Sequence, residues 1–181
     1  GVPISADLDT LVYTLAGIEG PEGWGIRGDT FTVMDHLGSL GVDTSFRLGD
    51  RDLSVCLLRS QYLSSGGTLS NATASIRAGL GVDTNVLPAT DDTIRTRVRT
   101  TEGSWLSFQE YFVGRGHRDE VAEIEYAGAE HAEPAPGVIE AIEAASIVVI
   151  APSNPPLSIR PILEIRAIED ALAAHPKVVA I

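Results

Sequence analysis

The chain has 181 residues, of which 44% are hydrophobic, and its 25 acidic and 13 basic side chains give a formal net charge of -12. This length allows one domain, or one and a fraction, with a substantial core, and the acidic balance argues against nucleic acid as a partner. No apolar run approaches the roughly 20 residues that cross a bilayer, and the opening residues lack the pattern of a signal peptide, so we expect a cytoplasmic protein with no membrane partner.

The first part of the chain has the periodicity of helices. Between residues 7 and 79 the pattern predicts four helices, with breaks at GIEGPEGWG, LGVDTS and SSGG. Asp7 and Asp9 suit the first turn of the first helix, and Thr68 or Ser70 suits the cap of the fourth.

The second part of the chain changes to the alternation of strands. Strands are predicted at VDTNVL, IRTRVRT, SWLSFQEYFV and VAEIEY, with a hairpin turn at TTEG. A helix follows at residues 137–145, then a buried strand at SIVVIA, a helix at ILEIRAIEDALAA and a buried strand at KVVAI. The sequence therefore predicts a mainly helical region, 1–81, and an α/β region, 82–181.

The closing strand, helix and strand predict a parallel pair with a right-handed crossover. The loop after SIVVIA then lies at the carboxyl end of a strand, where ligands commonly bind. Because a buried parallel strand normally has neighbours and a covering helix, we expect the natural protein to continue beyond residue 181. The start, a glycine close to a helix, predicts that the amino-terminal side is cut as well.

The stretch ISADLDT places two carboxylates, Asp7 and Asp9, two residues apart, with Thr10 following. In a loop, their oxygens suit one magnesium ion, which prefers hard oxygen ligands. In a helix start, the same residues are ordinary capping and first-turn residues, and aspartate is common there. The residues alone leave both interpretations open.

The stretch LGDRDLSVCLLRS has helical spacing that puts Asp52, Cys56 and Arg59 along one side. An arginine beside an aspartate either clamps a phosphate or forms a solvated ion pair of little energetic worth. The opposite side is predicted to face the core through Leu53, Leu57 and Leu58.

Two further stretches suggest ligand contacts, each with an ordinary alternative. LPATDD ends a predicted strand with Thr90, Asp91 and Asp92, which suit hydroxyls, a metal or a simple turn. The aromatic side chains nearby are suited to stack a flat heterocycle, but alternating aromatics in strands more often belong to the core. This aromatic set is Trp105, Phe108, Tyr111 and Phe112.

The most specific stretch is APSNPPLSI, directly after the apolar strand. Pro152 restricts the backbone, which leaves Ser153 and Asn154 to hydrogen-bond a ligand. A helix start near Ser158 offers free N–H groups to a phosphate, or it is a simple N-cap and turn. Neither GxxxxGK[ST], GxGxxG nor GxSxG occurs, and with Cys56 as the single cysteine there is no disulfide or zinc pattern.

Seven stretches stand in one order along almost the whole chain: ISADLDT, YTLAG, GWG, LGDRDL with the later Arg59, LPATDD, FQEYFV and APSNPPLSIRPIL. In this order they resemble the phospholactate and phosphoenolpyruvyl transferase family of coenzyme F(420) biosynthesis. The resemblance implies a Rossmann-like parallel sheet core with a mainly helical insertion and a β-hairpin region, that is, an α/β fold truncated here at both ends. It further implies small-molecule substrates and, as is common in the family, a homodimer.

The resemblance also implies a reaction. The terminal ribityl hydroxyl of the deazaflavin Fo attacks the phosphorus of a lactyl or enolpyruvyl diphosphoguanosine, and GMP leaves. Magnesium offsets the charge of the phosphates, and such transfers depend mainly on positioning and electrostatics. A non-catalytic nucleotide-sugar-binding regulator of the gluconeogenesis-factor type is the alternative, although GDRD, LPATDD and FQEYF argue against it.

Residue by residue, the resemblance implies catalytic and metal-binding roles for Asp7 and Asp9, with Asp9 preferred. The implied nucleotide loop is Pro152, Ser153, Asn154 and Ser158, which we expect to converge with Asp9 on one nucleotide and cation. The implied substrate-binding residues are Thr10, Trp24, Asp50, Arg51, Asp52, Arg59, Thr90, Asp91 and Asp92. The chain departs from the family pattern at Ala6, at Cys56, where relatives commonly carry histidine, and at Arg160, which replaces a glycine.

Overall fold

The computed structural model describes residues 2–108 and 110–181, and these fall into two compact units that meet in sequence between Pro88 and Ala89. The first unit contains α1 (Ala6–Leu15), α2 (Thr32–Ser39), α3 (Asp50–Ser64) and α4 (Leu69–Gly79). The second contains β1 (Arg95–Thr100), β2 (Trp105–Ser107), β3 (Val121–Ala127), α5 (Val138–Ala144), β4 (Val148–Ile150), α6 (Arg160–Leu163), α7 (Arg166–Ala174) and β5 (Val178–Ala180). The predicted mixed α/β class is confirmed.

The four predicted helices of the first unit are confirmed. Thr68 caps α4 as predicted: its hydroxyl accepts from the Asn71 amide at 3.2 Å, and the Asn71 side chain accepts from the Thr68 amide. The core of this unit packs side chains of α1, α3 and α4 with those of the segments after α1 and after α4: Val12, Tyr13, Ile26, Val55, Ile76, Val82 and Val86.

The segment VDTNVL is not a strand, which corrects the sequence prediction. Val82 and Val86 are buried in the core, so these apolar residues mark contact with the helices and not a strand. Nη1 of Arg77 donates to the carbonyls of Val82 and Asp83 at 2.8 and 3.1 Å. Because these carbonyls already have a side-chain donor, the segment packs against the helices without joining a β-ladder.

Two aspartates of the first unit, Asp29 and Asp50, cap the starts of α3 and α2. Asp29 accepts from the amides of Arg51 and Asp52 at the start of α3, and Asp50 accepts from the amide of Val33 at the start of α2. The approach at α3 is close enough that a Cβ on Gly49 would collide with the Asp29 carboxylate. This pairing fixes the start of α3, which carries the GDRD stretch.

The second unit contains two sheets. The antiparallel sheet has the order β2-β1-β3, and the hairpin predicted at TTEG is confirmed, with Gly103 in the left-handed region at φ 90°. On its inner face Val98 lies opposite Leu106 and Ile124. The predicted strands IRTRVRT and VAEIEY correspond to β1 and β3.

The stretch SWLSFQEYFV is a strand only over β2, and a π-helical turn follows at Glu110–Gly114, which corrects the prediction of one strand. Gln109 lies outside the described residues. The aromatic side chains are also not a core: Trp105 is exposed beneath Arg97, and Phe112 is exposed and stacks on Phe108 with 5.3 Å between ring centroids. The buried position of β2 is Leu106.

The predicted strand, helix and strand unit at the end of the chain is present. β4 and β5 pair in parallel, and their connection contains two helices, α6 and α7, because the chain leaves the helical conformation at the fully buried Ile165. Val149 lies opposite Val179, and both are exposed, so the prediction of buried strands is wrong for these two residues. Ile165, Ile168 and Ala132 form the centre of the core around these helices.

Among residues 2–108 and 110–181, no helix combines the length and the apolar character that crossing a bilayer requires.

Candidate functional site

A buried group of polar side chains lies between α1 and α3, and we call these five residues the α1–α3 polar cluster: Asp9, Tyr13, Asp52, Cys56 and Arg59. Helical spacing places the first two on one face of α1 and the other three on one face of α3. The Tyr13 hydroxyl donates to Asp52 Oδ1 at 2.8 Å, and Nη2 of Arg59 donates to Asp9 Oδ1. Nη1 of Arg59 also contacts the Cys56 sulfur at 3.9 Å, so every member of the cluster has a partner within it.

The polar side of α3 faces the interior, which is the opposite of the predicted orientation. The sequence pattern assigned the leucine side to the core, but Leu57 is 53% exposed and Leu58 is also exposed, whereas Cys56 and Arg59 are buried. The stripe of polar residues was identified correctly, but its burial was not. Buried polar groups are stable when they are hydrogen-bonded to one another, and the partners on α1 supply those bonds.

Burial dominates the electrostatics of the cluster. It raises the pKa of the Asp9 carboxyl, and the neighbouring Arg59 guanidinium acts in the opposite direction. It also raises the pKa of the Tyr13 hydroxyl and of the Cys56 thiol, and in both cases the negative charge of Asp52 adds to the effect. Cys56 is therefore a neutral thiol, which is a poor nucleophile.

The cluster offers three atoms that lie within 4.8 Å of one another, from Asp9, Asp52 and Cys56. These do not suit magnesium, because a thiol is a soft ligand and the Arg59 guanidinium already contacts both Asp9 and the Cys56 sulfur. Asp7 differs, since its carboxylate is exposed in the first turn of α1. Magnesium typically keeps several waters and binds one or two carboxylates with substrate phosphates, so Asp7 fits such a site.

The other residues of the GDRD stretch have local partners. Asp50 accepts from the Thr30 hydroxyl at 2.6 Å and from the amides of Thr32 and Val33 at 3.0 Å. Nη2 of Arg51 donates to the Arg27 carbonyl at 2.5 Å. These contacts hold the loops together, which is a structural use of residues that were expected to bind substrate.

Replacing Asp50 with asparagine should reduce the acid sensitivity of the fold. The hydrogen bond from Thr30, followed by those from Val33 and Thr32, lowers the pKa of Asp50 because it favours the ionised carboxylate. A carboxyl whose pKa is lower in the folded state contributes stability above its unfolded pKa of about 3.9, and that stability is lost as the pH falls through the folded pKa. Urea unfolding at successive pH values below about 5 should show a shallower decline for Asp50→Asn than for wild type.

Asp170→Asn, on the exposed side of α7, is the matched control and should decline like the wild type. Parallel declines for wild type and Asp50→Asn would contradict the capping role.

Thr10 and Trp24 also belong to the first unit. Thr10 is half-buried on α1, and Trp24 is 68% exposed in the turn between Gly20 and Gly25, whose amide and carbonyl are hydrogen-bonded at 3.0 Å. The open face of the Trp24 indole remains available to stack on a ligand.

In the second unit the LPATDD stretch is tied to the segment before α5. The Thr90 hydroxyl donates to the Glu133 carbonyl at 2.6 Å, and Asp92 Oδ2 accepts from the Glu133 amide at 2.9 Å. Asp91 is half-buried. Thr90 and Asp92, which were predicted to contact a ligand, are therefore both hydrogen-bonded to the backbone of Glu133.

The loop after β4 is capped by Asn154. Its side-chain oxygen accepts from the Leu157 amide at 3.2 Å, at the start of the π-helical turn Pro155–Ile159. The Ser158 amide donates to the Asn154 carbonyl at 2.9 Å, which corrects the expectation of a free N–H group there. Pro152 and Ser153 are exposed, so the rim of the loop is open to a ligand.

Three residues that organise these sites were missed by the sequence analysis: Tyr13, Asp29 and Tyr126. The Tyr126 hydroxyl on β3 donates to the Pro156 carbonyl at 2.5 Å and so holds the loop after β4. Tyr13 alone had a signal, because it lies four residues after Asp9 on the same helix face. The contacts of the other two join segments more than 20 residues apart.

The sequence profile of the family described as 2-phospho-L-lactate transferase CofD matches residues 1–181. A 2-phospho-L-lactate transferase from Methanopyrus kandleri is 42% identical over 180 residues, which cover 98% of this chain and 58% of that protein. A phosphoenolpyruvate transferase from Streptomyces griseus is 40% identical over 178 residues, which cover 96% of this chain and 56% of that protein. The chain thus spans a little more than half the length of these relatives.

Among solved structures, a member of the UPF0052 family from Bacillus halodurans has a TM-score of 0.61 to this chain. The alignment covers 92% of this chain and 49% of that one at 16% sequence identity. At this identity the likeness shows a shared fold.

Proposed function

The chain belongs to the 2-phospho-L-lactate transferase family, which confirms the resemblance of its ordered motifs, and from this membership we propose a reaction for the whole protein. It transfers a phospholactyl or phosphoenolpyruvyl group from a GMP-activated donor to the deazaflavin Fo and releases GMP. The observation that carries the proposal is the match over nearly the whole chain to relatives named as transferases for these two groups.

The reaction requires one bond to form and one to break at a single phosphorus. The oxygen of the terminal ribityl hydroxyl of Fo attacks this phosphorus, and the hydroxyl proton passes to solvent. The bond from phosphorus to the bridging oxygen of GMP breaks, and GMP leaves with the bonding electrons. Little covalent chemistry falls to the protein, so its residues act by positioning and by charge.

Within the proposal, the two units supply different contacts. The exposed carboxylate of Asp7 would hold a magnesium ion, which would offset the negative charge of the donor phosphates. Ser153 and Asn154 hydrogen-bond the guanosine nucleotide at the rim of the loop after β4. Asp9 was expected to bind the metal, but its carboxylate is buried against Arg59, and we assign it to that contact instead. The expected convergence of Asp9 with the Ser153 and Asn154 loop on one nucleotide stays a prediction.

The test is an assay of the full-length protein with Fo, magnesium and either lactyl or enolpyruvyl diphosphoguanosine. Chromatography should show GMP released in proportion to Fo consumed, and omission of Fo or of magnesium should abolish the release. The comparison of the two donors also identifies which acid the protein accepts.

No Fo-dependent GMP from either donor would overturn the proposal. Calorimetry would then separate it from the alternative of a non-catalytic regulator, which should bind a nucleotide sugar and ignore Fo.

A further inference from the structure

Arg59 is a buried arginine with contacts on both sides of Asp7. Its side chain is 1% exposed. Nη1 donates to the Pro3 carbonyl at 3.2 Å, and Nη2 donates to the Asp9 carboxylate. Pro3 lies four residues before Asp7 and Asp9 lies two residues after it. A single guanidinium on α3 therefore joins both ends of the short segment that carries the exposed carboxylate.

The start of α1 depends on this contact because it lacks a local cap. Ser5 occupies the N-cap position, but its side chain makes no capping hydrogen bond. The first bond of the helix is that from the Asp9 amide to the Ser5 carbonyl at 2.9 Å. A helix end without a side-chain cap normally frays. Here the link from α3, 50 residues away in sequence, holds the first turn in place.

The geometry also argues against Arg59 as a phosphate clamp. Both terminal nitrogens already donate within the protein, and Nη1 additionally contacts the Cys56 sulfur at 3.9 Å. Nε has no hydrogen-bond partner, but it is buried as well. A phosphate ligand needs accessible donors, and this side chain offers none at the surface.

We propose that Arg59 is a positioning residue that fixes the segment Pro3–Asp9 and thereby aims the Asp7 carboxylate at the metal-bound donor. The proposal rests on the proposed function for the role of Asp7, but the holding of the segment by Arg59 is independent of it. Ion pairs withdrawn from water are screened little by salt, so the Asp9 contact persists at ordinary ionic strength. Groups that orient a metal ligand typically change metal affinity by about 10–100-fold when they are altered.

The substitution that tests this is Arg59→Lys in the full-length protein. A lysine ammonium retains the charge beside Asp9 but lacks the planar fork with which the guanidinium also reaches Pro3. Arg77→Lys is the matched control, because Arg77 likewise donates from Nη1 to backbone carbonyls of the first unit, those of Val82 and Asp83.

Two measurements are expected to separate the variants. Hydrogen exchange at the Asp9 amide should be at least about tenfold faster in Arg59→Lys than in wild type, since local opening of the first turn becomes easier. Binding of manganese in the presence of GDP, followed by electron paramagnetic resonance, should weaken about tenfold or more. Arg77→Lys should change neither quantity. Arg59→Lys should leave the KM for Fo within about twofold of wild type, because the contacts that bind Fo are not altered.

Unchanged exchange at Asp9 would overturn the claim that Arg59 holds the segment. Faster exchange with unchanged manganese affinity would overturn its connection to Asp7 and reduce Arg59 to a structural residue. Wild-type protein that releases no GMP in the presence of Fo would instead overturn the proposed function, and the exchange measurement would still decide whether Arg59 holds the segment.

Discussion

Asp7→Asn in the full-length protein is expected to lower kcat/KM for Fo-dependent GMP release by about 100-fold or more. A metal ion that polarises a phosphoryl oxygen contributes several kcal/mol to transition-state stabilisation, and each 1.36 kcal/mol is a factor of about ten in rate. The substitution keeps the shape of the side chain and removes its charge. Because Asp7 is exposed, the free energy of unfolding should change by less than about 1 kcal/mol.

The matched control for Asp7 is Glu140→Gln. Glu140 is also an exposed acidic residue in the first turn of a helix, so its substitution removes the same favourable interaction with the helix dipole. It should leave GMP release unchanged. An Asp7→Asn enzyme with activity within about threefold of wild type would remove Asp7 from the metal site, because loss of a metal ligand has a larger effect than that.

A raised magnesium requirement would identify the cause of the lost activity. If Asp7 binds the metal, Asp7→Asn should need a higher magnesium concentration for half-maximal rate, since affinity depends on the charge of the ligand. If Asp7 only stabilises the helix, the requirement should stay unchanged. Titration of magnesium at saturating Fo and donor measures this.

The elements of the fold were predictable where one physical signal dominated. β1 and β3 alternate in residue type over six and seven residues, and their positions were predicted closely. VDTNVL also alternates in residue type, a pattern that favours a strand, but Val82 and Val86 are buried whereas Thr84 between them is exposed, so the alternation does not correspond to one buried face. The carbonyls of Val82 and Asp83 accept hydrogen bonds from Arg77. Because Arg77 lies outside the segment, the residue pattern of the segment alone could not predict these bonds.

The site was predictable as a set of residues but not as an arrangement. The helical spacing of Asp52, Cys56 and Arg59 identified one stripe on α3, and the stripe exists. Its burial depends on Tyr13 and Asp9, which meet it across 39 and 50 residues. Such complementarity is a property of the packed pair of helices. Sequence periodicity on one helix therefore cannot decide whether a polar stripe faces solvent or a partner.

The same limit explains why the sequence could not predict which of Asp7 and Asp9 is buried. The two carboxylates are equivalent in the motif, and both suit a helix start. On a helix they point about 160° apart, so one of them faces α3 when the other faces solvent. The contact with Arg59 determines that Asp9 is the buried one.

Asn154→Asp is expected to weaken binding of GDP by about tenfold or more while the fold stays as stable as wild type. Aspartate is as good an N-cap as asparagine, so the hydrogen bond from the Leu157 amide is retained. The new negative charge stands at the rim of the loop proposed to hold the nucleotide. Two like unit charges 4 Å apart repel by about 1 kcal/mol in water and by about 4 kcal/mol near a protein surface.

Isothermal calorimetry with GDP and urea unfolding measure the two quantities separately. Asn71→Asp is the matched control, since the Asn71 side chain also accepts a hydrogen bond from a backbone amide at a helix start. Asn71 lies on α4, where no ligand is proposed. Asn154→Ala provides the converse case: it adds no charge but removes the cap, at a cost of about 1 kcal/mol in unfolding free energy. If Asn154→Asp binds GDP as tightly as the wild type, the nucleotide phosphates do not lie at this loop, because a charge placed beside them cannot be neutral in its effect.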